Sequence, residues 1–191
     1  SIAAANASNS APTGDFRNSE TTVGVLMDFL ADSVKAYVSD NVDGSFICGI
    51  FKYPTAGEVV RVFDSRILLG QPKINKIRQL DIDRGIPIYR AIINYNQNYV
   101  VMSESQVVGA SLNDIPFVSQ SWRSIVDETT ATLTKHLNAG ERTIDTALTV
   151  KADAITRGEF ETTLYDQLRF IVEIRVPYTF GFDIERNDVV Q

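Results

Sequence analysis

The first strong pattern in the chain is a stripe of apolar side chains at spacings of three and four residues. This spacing predicts a helix over 19–40 that carries the stripe on one face. Asn18 or Ser19 is suited to cap its N-terminus, and Glu20 suits the positive end of the helix dipole. We expect the stripe to face the core; its members are Val23, Leu26, Met27, Leu30, Val34, Tyr37 and Val38.

After Gly44 the pattern changes to β-branched and aromatic residues, which favour strands. The segments 45–53 and 58–63 flank a turn that contains proline and glycine, so together they predict a β-hairpin. Two further strands are predicted at 87–95 and 98–103, on either side of a polar turn.

The segment 121–150 carries two conflicting patterns. Ile125, Leu133 and Leu137 have helical spacing, whereas the threonines within 129–134 favour a strand. The sequence leaves both alternatives open here. It predicts a strand only at the end of the segment, over 144–151.

Two elements are predicted near the end of the chain. Thr156, with Glu159 three residues later, matches a capping box and predicts a second helix over 156–168. Alternating apolar residues over 169–182 predict a final strand. The whole pattern predicts an α+β fold, with a mostly antiparallel β core on which an N-terminal helix and a second short helix pack.

The first nineteen residues differ from the rest of the chain. Residues 1–19 are rich in Ser, Ala, Asn, Gly and Pro, which predicts an extended N-terminal arm. Either a neighbouring chain holds this arm or it packs on its own domain. We expect 20–191 to form a single domain, in which 121–150 is either an insertion or an extended loop or hairpin.

Composition changes the picture mainly by exclusion. The chain has 191 residues, of which 44% are hydrophobic and 22% charged, as in a folded domain. One cysteine and one histidine leave no internal disulfide and no metal site built from several such residues. The net charge of −6 argues against broad affinity for nucleic-acid backbones, and no apolar run has the length of a membrane span. We therefore expect no cofactor and no membrane association.

Few residues suggest chemistry. Asp81 and Asp83, with Asp64, are carboxylates that could hold Mg²⁺, but so short a motif is more typical of a solvated strand face or turn. Cys48 and His136 have the chemistry of a nucleophile and a base. The apolar neighbours of Cys48 favour a buried, inert thiol, and the polar surroundings of His136 predict an exposed imidazole. Since phosphate-binding loops and nucleophile elbows are missing from the sequence, it predicts a protein that is not an enzyme.

Residues suited to protein contacts are easier to find. Trp122 and Arg123 belong to the residue types most frequent at interface hot spots, although a core position for Trp122 is the alternative. The arm and the end of the chain add further candidates. The predicted interface residues are Ser1, Ile2, Phe16, Trp122, Arg123 and Tyr178.

The opening helix at 19–40 and the end of the chain, from 156–160 through 169–178, resemble the small ring-forming proteins of tailed-bacteriophage virions. Within that class, the tail-terminator and tail-completion (neck) proteins are the nearest match. The resemblance implies an α+β subunit of a homo-oligomeric, hexameric ring. Such a ring caps and stabilises the tail and helps to join it to the head.

The same resemblance implies the partners and the location. The partners are other virion proteins (tail tube, sheath or head–tail connector), and DNA at most passes through a lumen. The protein is then made in the host cytoplasm and ends in the virion. The alternatives are a capsid decoration or tail-tube protein, and a non-viral β-rich binding module.

Overall fold

The computed structural model describes residues 10–17, 20–40, 44–51, 59–64, 66–76, 86–106, 109, 115–167, 170–181 and 189–190. Some predicted features lie outside these residues. They are the start of the arm with Ser1 and Ile2, the helix cap at Asn18 or Ser19, the turn of the predicted hairpin, and the carboxylates Asp81 and Asp83.

Helices and strands alternate irregularly along the chain. The helices are α1 (Val23–Ser33), α2 (Ile115–Ser119), α3 (Thr130–Lys135), α4 (Lys151–Leu164) and α5 (Tyr178–Gly181). The strands are β1 (Ala36–Asp40), β2 (Phe46–Ile50), β3 (Val59–Arg61), β4 (Lys73–Lys76), β5 (Ile88–Tyr95), β6 (Arg123–Glu128), β7 (Gly140–Asp145), β8 (Phe170–Glu173) and β9 (Val189–Val190). A single 3-10 turn, Glu104–Gln106, precedes α2 in the described part of the chain.

The predicted α+β class is confirmed. Strands pair as antiparallel β1–β2, β4–β8 and β5–β6, and as parallel β3–β9 and β5–β7. The largest sheet among the described residues has three strands in the order β6-β5-β7, so β5 is its centre. The central sheet is mixed, because β5 pairs with β6 in antiparallel and with β7 in parallel orientation, whereas the prediction was a mostly antiparallel β core.

The core lies between the β6-β5-β7 sheet and helix α4. Because side chains alternate along a strand, every second residue of β5 from Ala91 to Tyr95 faces this core, whereas the register shifts between Ile88 and Arg90. Gly158 of α4 lets the helix approach closely, since a Cβ there would lie 3.1 Å from Ile125 Cδ1 and 3.2 Å from Asp127 Cβ. The core cluster consists of Ala91, Ile93, Tyr95, Ile125, Ile144, Leu148 and Ala154.

The prediction of one long helix over 19–40 is wrong. Helix α1 begins after Thr22, whose Oγ1 accepts a hydrogen bond from the Val25 N–H, and it ends at Ser33. Lys35 then adopts a left-handed φ of 60°, which turns the chain into β1. The apolar spacing continues into β1. There the backbone groups pair with those of β2 in an antiparallel ladder instead of bonding within a longer helix.

The stripe on α1 also does not form the core. Val23 is 73% exposed and Met27 is 45% exposed, whereas the buried residue of the helix is Ser33. Its Oγ donates to the Phe29 carbonyl and accepts from the Ala147 N–H at 2.8 Å. Helix α1 is thus held to the domain partly through a polar contact. Leu26 and Leu30 of the stripe are half-buried, and Val34 packs against the core cluster.

Two strand predictions fail. Strand β2 pairs with β1 and not with 58–63, where β3 instead pairs with β9. Residues 98–103 form no strand, because the side chain of Asn98 bonds to backbone groups instead. Its Nδ2 donates to the Phe117 and Val118 carbonyls, and its Oδ1 accepts from the Val100 N–H.

The ambiguous segment 121–150 contains β6, α3 and β7, so it has both strands and a helix. The threonines lie in α3, and the strand predicted at 144–151 ends at Asp145 as part of β7. The segment supplies both neighbours of β5 and hence most of the central sheet.

The end of the chain also differs from its prediction. Helix α4 begins at Lys151, and Thr156 lies inside it, where its Oγ1 donates to the Ala152 carbonyl. Strand β8 ends at Glu173, short of the predicted 182. Pro177 has no N–H to donate to a ladder, and α5 begins at the next residue.

Candidate functional site

The described part of the arm, 10–17, packs on its own domain. Thr13 bridges Leu148 in antiparallel fashion, outside the named strands. The Gly14 N–H donates to the Ala147 carbonyl at 2.8 Å, and the Thr149 N–H donates to the Pro12 carbonyl at 3.3 Å. These backbone bonds fix the arm beside the chain that follows β7.

The segment after β5 comes to the same place. The Asn96 N–H donates to the Leu148 carbonyl at 2.7 Å, and the Asn98 N–H donates to the Ser121 carbonyl at 2.8 Å. The second bond ties the start of β6 to the end of β5. As a result, residues 97–99 and Trp122 lie next to the arm.

A cavity of about 320 Å³ lies between the arm, α1 and this end of the sheet. Four aromatic side chains line it, together with polar residues. The aromatic residues are Phe16, Phe29, Tyr99 and Trp122, and the polar ones are Asp15, Arg17, Gln97 and Asp145.

The arm contributes an ordered aromatic pair to this pocket. The rings of Phe16 and Tyr99 meet edge to face, with centroids 5.5 Å apart and planes at 72°. Tyr99 Oη accepts from the Phe16 N–H at 2.9 Å and donates to Asp15 Oδ1 at 3.3 Å. Tyr99 therefore holds both the backbone and a carboxylate of the arm.

The charged residues of the pocket divide into a paired set and a single carboxylate. Arg17 Nε donates to Asp15 Oδ2 at 2.6 Å, and the Arg17 guanidinium lies 5.1 Å from the Phe29 ring centroid. Asp145 accepts from Asn94 Nδ2 at 2.6 Å, while Asn94 Oδ1 accepts from Ser124 Oγ. Among the described residues, no lysine or arginine pairs with Asp145.

The structure brings two of the predicted interface residues, Phe16 and Trp122, into this pocket. Arg123 lies beside it on β6, where its guanidinium covers the Phe117 ring and its Nη2 is buried without a described hydrogen-bond partner. Tyr178 is exposed at the start of α5 and does not line the pocket. Ser1 and Ile2 lie outside the described residues.

No pattern in the sequence indicated the charged residues of the pocket. Asp15, Arg17 and Asp145 belong to no recognisable motif. Phe29 lies within the predicted helix 19–40 but is not one of the residues of its apolar stripe. The pocket arises from contacts between distant segments, which no local pattern reports.

The other candidate chemical residues are not brought together. Cys48 is half-buried on β2, and Asp64 pairs with Arg66 at 2.6 Å. His136 follows α3 and is half-buried, so the predicted exposure is wrong; its Nε2 is buried without a partner in the described part of the chain. Within the described ranges, no group of three or more His, Cys, Asp or Glu residues could hold a metal ion.

A second charged cluster is buried between α4, β7 and α1. Glu161 accepts from both Arg157 and Arg142, and Arg157 Nη2 also reaches Asp32 Oδ1 at 3.3 Å. Burial, followed by the nearby Arg157 charge, lowers the pKa of Lys35, whose Nζ lies 4.5 Å from the Phe160 ring centroid. This cluster fixes α1 against α4.

The face of the β6-β5-β7 sheet opposite α4 carries polar residues. Arg90 on β5 bridges Glu128 on β6 and Glu141 on β7, with both N–O distances at 2.9 Å. A hydrogen bond to Glu141 raises the pKa of Tyr89. Val126 lies on this face as well, and it is among the exposed large apolar residues.

No family model matches the chain, and no curated protein matches it. None of the helices within the described ranges is both long and apolar enough to cross a bilayer. The fold and the site therefore define an α+β protein with an aromatic-walled pocket under its arm and an apolar α1 surface.

Proposed function

We propose that this chain is a structural subunit of a phage virion, a tail-terminator or neck (tail-completion) protein that assembles into a homo-oligomeric ring. Such a ring caps and stabilises the tail and helps to join it to the head. The observation that carries the proposal is the amount of large apolar side chain left exposed by the single chain. Exposed apolar side chains that adjoin one another mark protein–protein interaction sites.

Two stretches of this surface support assembly best. Helix α1 exposes Val23 and Met27, which are one turn apart on one side, and Val25 on another side of the same helix. The segment after β5 exposes Val100, Val101 and Met102. Ring subunits need two different surfaces that meet head to tail, and a fold with more than one exposed apolar stretch has them.

The sheet offers a further means of contact. Among the described strands, β6 and β7 each pair on one side only, with β5. An unpaired strand edge can add a strand from a neighbouring chain through main-chain hydrogen bonds. The net charge of −6 also suits a ring whose lumen DNA crosses, because like charges prevent tight contact with phosphates.

The test is the state of association of the purified protein. We expect native mass spectrometry and negative-stain images to give closed rings of one size. Val25→Asp, at a position 55% exposed on α1, should shift the rings toward monomers without lowering monomer stability. Leu137→Asp is the matched control, since Leu137 is 86% exposed and follows α3.

Particular results would count against this function. A wild-type protein that stays monomeric at high concentration contradicts ring assembly. If Leu137→Asp disrupts rings as strongly as Val25→Asp, then the α1 surface has no special role. Within virions, antibody labelling over the head shell would favour a decoration protein, and labelling along the tail would favour a tail-tube protein.

The pocket favours one second candidate, a β-rich binding module outside virions. A cavity walled by aromatic rings with a few convergent polar groups has the general form of a ligand site. A monomer that binds a small ligand with defined stoichiometry would support this candidate over the ring.

A further inference from the structure

We propose that the pocket between the arm and the end of β5 binds an organic cation, namely a guanidinium or ammonium group on a short aliphatic chain. The proposal goes beyond the ring function and does not depend on it. It rests on the walls, the charges and the size of the cavity.

The walls of the pocket suit a cation. The faces of aromatic rings attract cations, most strongly in the case of tryptophan, and Trp122 is one of the four rings that line the cavity. The pocket already holds one guanidinium in this way, since that of Arg17 lies 5.1 Å from the Phe29 ring centroid. A second cation would meet the same kind of surface at Trp122 and Tyr99.

The charges leave one carboxylate without a cation. The lining contains Asp15, Asp145 and Arg17, which carry a net charge of one negative unit. Arg17 pairs with Asp15, whose side chain is only 5% exposed, so this pair is complete. Asp145 is exposed to the pocket and receives a hydrogen bond only from the neutral amide of Asn94 among the described side chains.

The position of the Asp145 carboxylate is fixed by its neighbours. The ionised Asp145 carboxylate can only accept, so the Asn94 amide turns its Nδ2 toward it, and Asn94 Oδ1 then accepts from Ser124 Oγ at 2.6 Å. Only one carboxylate oxygen takes part in that bond, and the other lone pairs are left for a ligand. A carboxylate held in this way is pre-organised for a charge-assisted hydrogen bond.

The size of the cavity limits the ligand. Its volume of about 320 Å³ lies near the lower end of small-molecule pockets, which span roughly 300–1,000 Å³. One amino-acid side chain or a small amine fits this volume, whereas a nucleotide is too large to fit it well. An anion would face the Asp145 carboxylate, which no described lysine or arginine neutralises. The same chemistry is available from a free amine or guanidine and from a lysine or arginine side chain of a polypeptide.

The test uses the intrinsic fluorescence of the full chain. Trp122 is the one tryptophan in the sequence, so tryptophan emission reports on this pocket alone. We expect propylguanidinium and butylammonium to change the emission in a saturable manner and to raise the melting temperature by mass action. Propylurea, which has the shape of propylguanidinium without its charge, should do neither.

A pair of variants tests the role of the carboxylate. Asp145→Asn should weaken propylguanidinium binding at least tenfold, while circular dichroism shows an unchanged fold. Glu159→Gln removes the same charge from an exposed position on α4 and should leave the affinity unchanged. Equal binding of propylurea, equal affinity in Asp145→Asn, or the absence of both the emission change and the melting shift would overturn the proposal.

A tripeptide that contains arginine and has blocked termini distinguishes the two sources of the cation, a free small molecule and a side chain of a polypeptide. If the peptide binds much more tightly than propylguanidinium, the pocket receives a side chain of a polypeptide. If both bind equally, it receives a free cation. Either result supports a cation site, and neither depends on whether the protein forms a ring.

Discussion

Replacing Glu161 with glutamine should destabilise the fold more than any other loss of a single charge in the described structure. Glu161 is the shared acceptor of two arginines: Arg157 binds its Oε1, and Arg142 Nη1 lies 2.8 Å from its Oε2. The side chains of Arg157 and Glu161 are 4% and 3% exposed. Glu161→Gln therefore leaves the buried Arg157 guanidinium with the largely solvent-exposed Asp32 carboxylate as its remaining counter-charge among the described residues.

The size of the loss follows from burial. Removing one partner of a buried ion pair costs about 3–5 kcal/mol. Glutamine keeps one carbonyl oxygen as an acceptor, so we expect the lower value, about 3 kcal/mol. For a domain of this length, each kcal/mol corresponds to roughly 2–4 °C, so the melting temperature should fall by about 6–12 °C.

Urea and thermal unfolding followed by circular dichroism measure this loss. Glu159→Gln is the matched control, because Glu159 is exposed on the same helix and its loss should change stability by about 0.5 kcal/mol or less. Arg157→Met should cost less than Glu161→Gln, since Glu161 would still pair with Arg142. The reasoning is refuted if the two glutamine variants unfold within about 1 kcal/mol of each other.

Two further predictions concern packing and pH. Gly158→Ala should lower the free energy of unfolding by about 1–2 kcal/mol, because the added Cβ crowds Ile125 and Asp127. Gly24→Ala has open space around it and should raise the free energy of unfolding by about 0.4–1 kcal/mol. Urea titrations measure both changes, and two changes of the same sign would contradict this prediction. Because the pKa of Lys35 is lowered in the folded state, the folded protein binds fewer protons than the unfolded protein just below pH 10.5. The wild type should therefore gain stability relative to Lys35→Met as the pH rises through that window. A stability difference that stays constant with pH would contradict this assignment.

The elements that the sequence predicted well are those specified by their own residues. Strand β5 was expected at 87–95 and runs from Ile88 to Tyr95, since its alternation matches one buried face. The second helix was expected at 156–168 and is present as α4, shifted toward the N-terminus. Val150 precedes the helix and makes no side-chain cap, so no capping pattern marks the true start. The capping pattern at Thr156 lies inside the helix.

The elements that the sequence missed are decided by pairing with another segment of the chain. The apolar spacing through Tyr37 and Val38 resembles a helix, yet these residues pair with Gly49 and Cys48 in a strand. No local pattern reports that pairing. The pocket is a stronger case, because the bond between Phe16 and Tyr99 joins residues 83 positions apart.

The docked arm connects the two proposed roles of the molecule through Ala147. Its carbonyl accepts from the Gly14 N–H of the arm, and its N–H donates to Ser33 Oγ at the end of α1. The arm supplies Asp15, Phe16 and Arg17 to the pocket, so a ligand that contacts them binds only while the arm is docked. By linkage, such a ligand stabilises the docked arm by the same free energy that docking contributes to its binding. Helix α1 also carries the apolar surface proposed for ring contacts. Ligand binding in the pocket and ring contacts at α1 would therefore both involve the part of the structure that Ala147 connects.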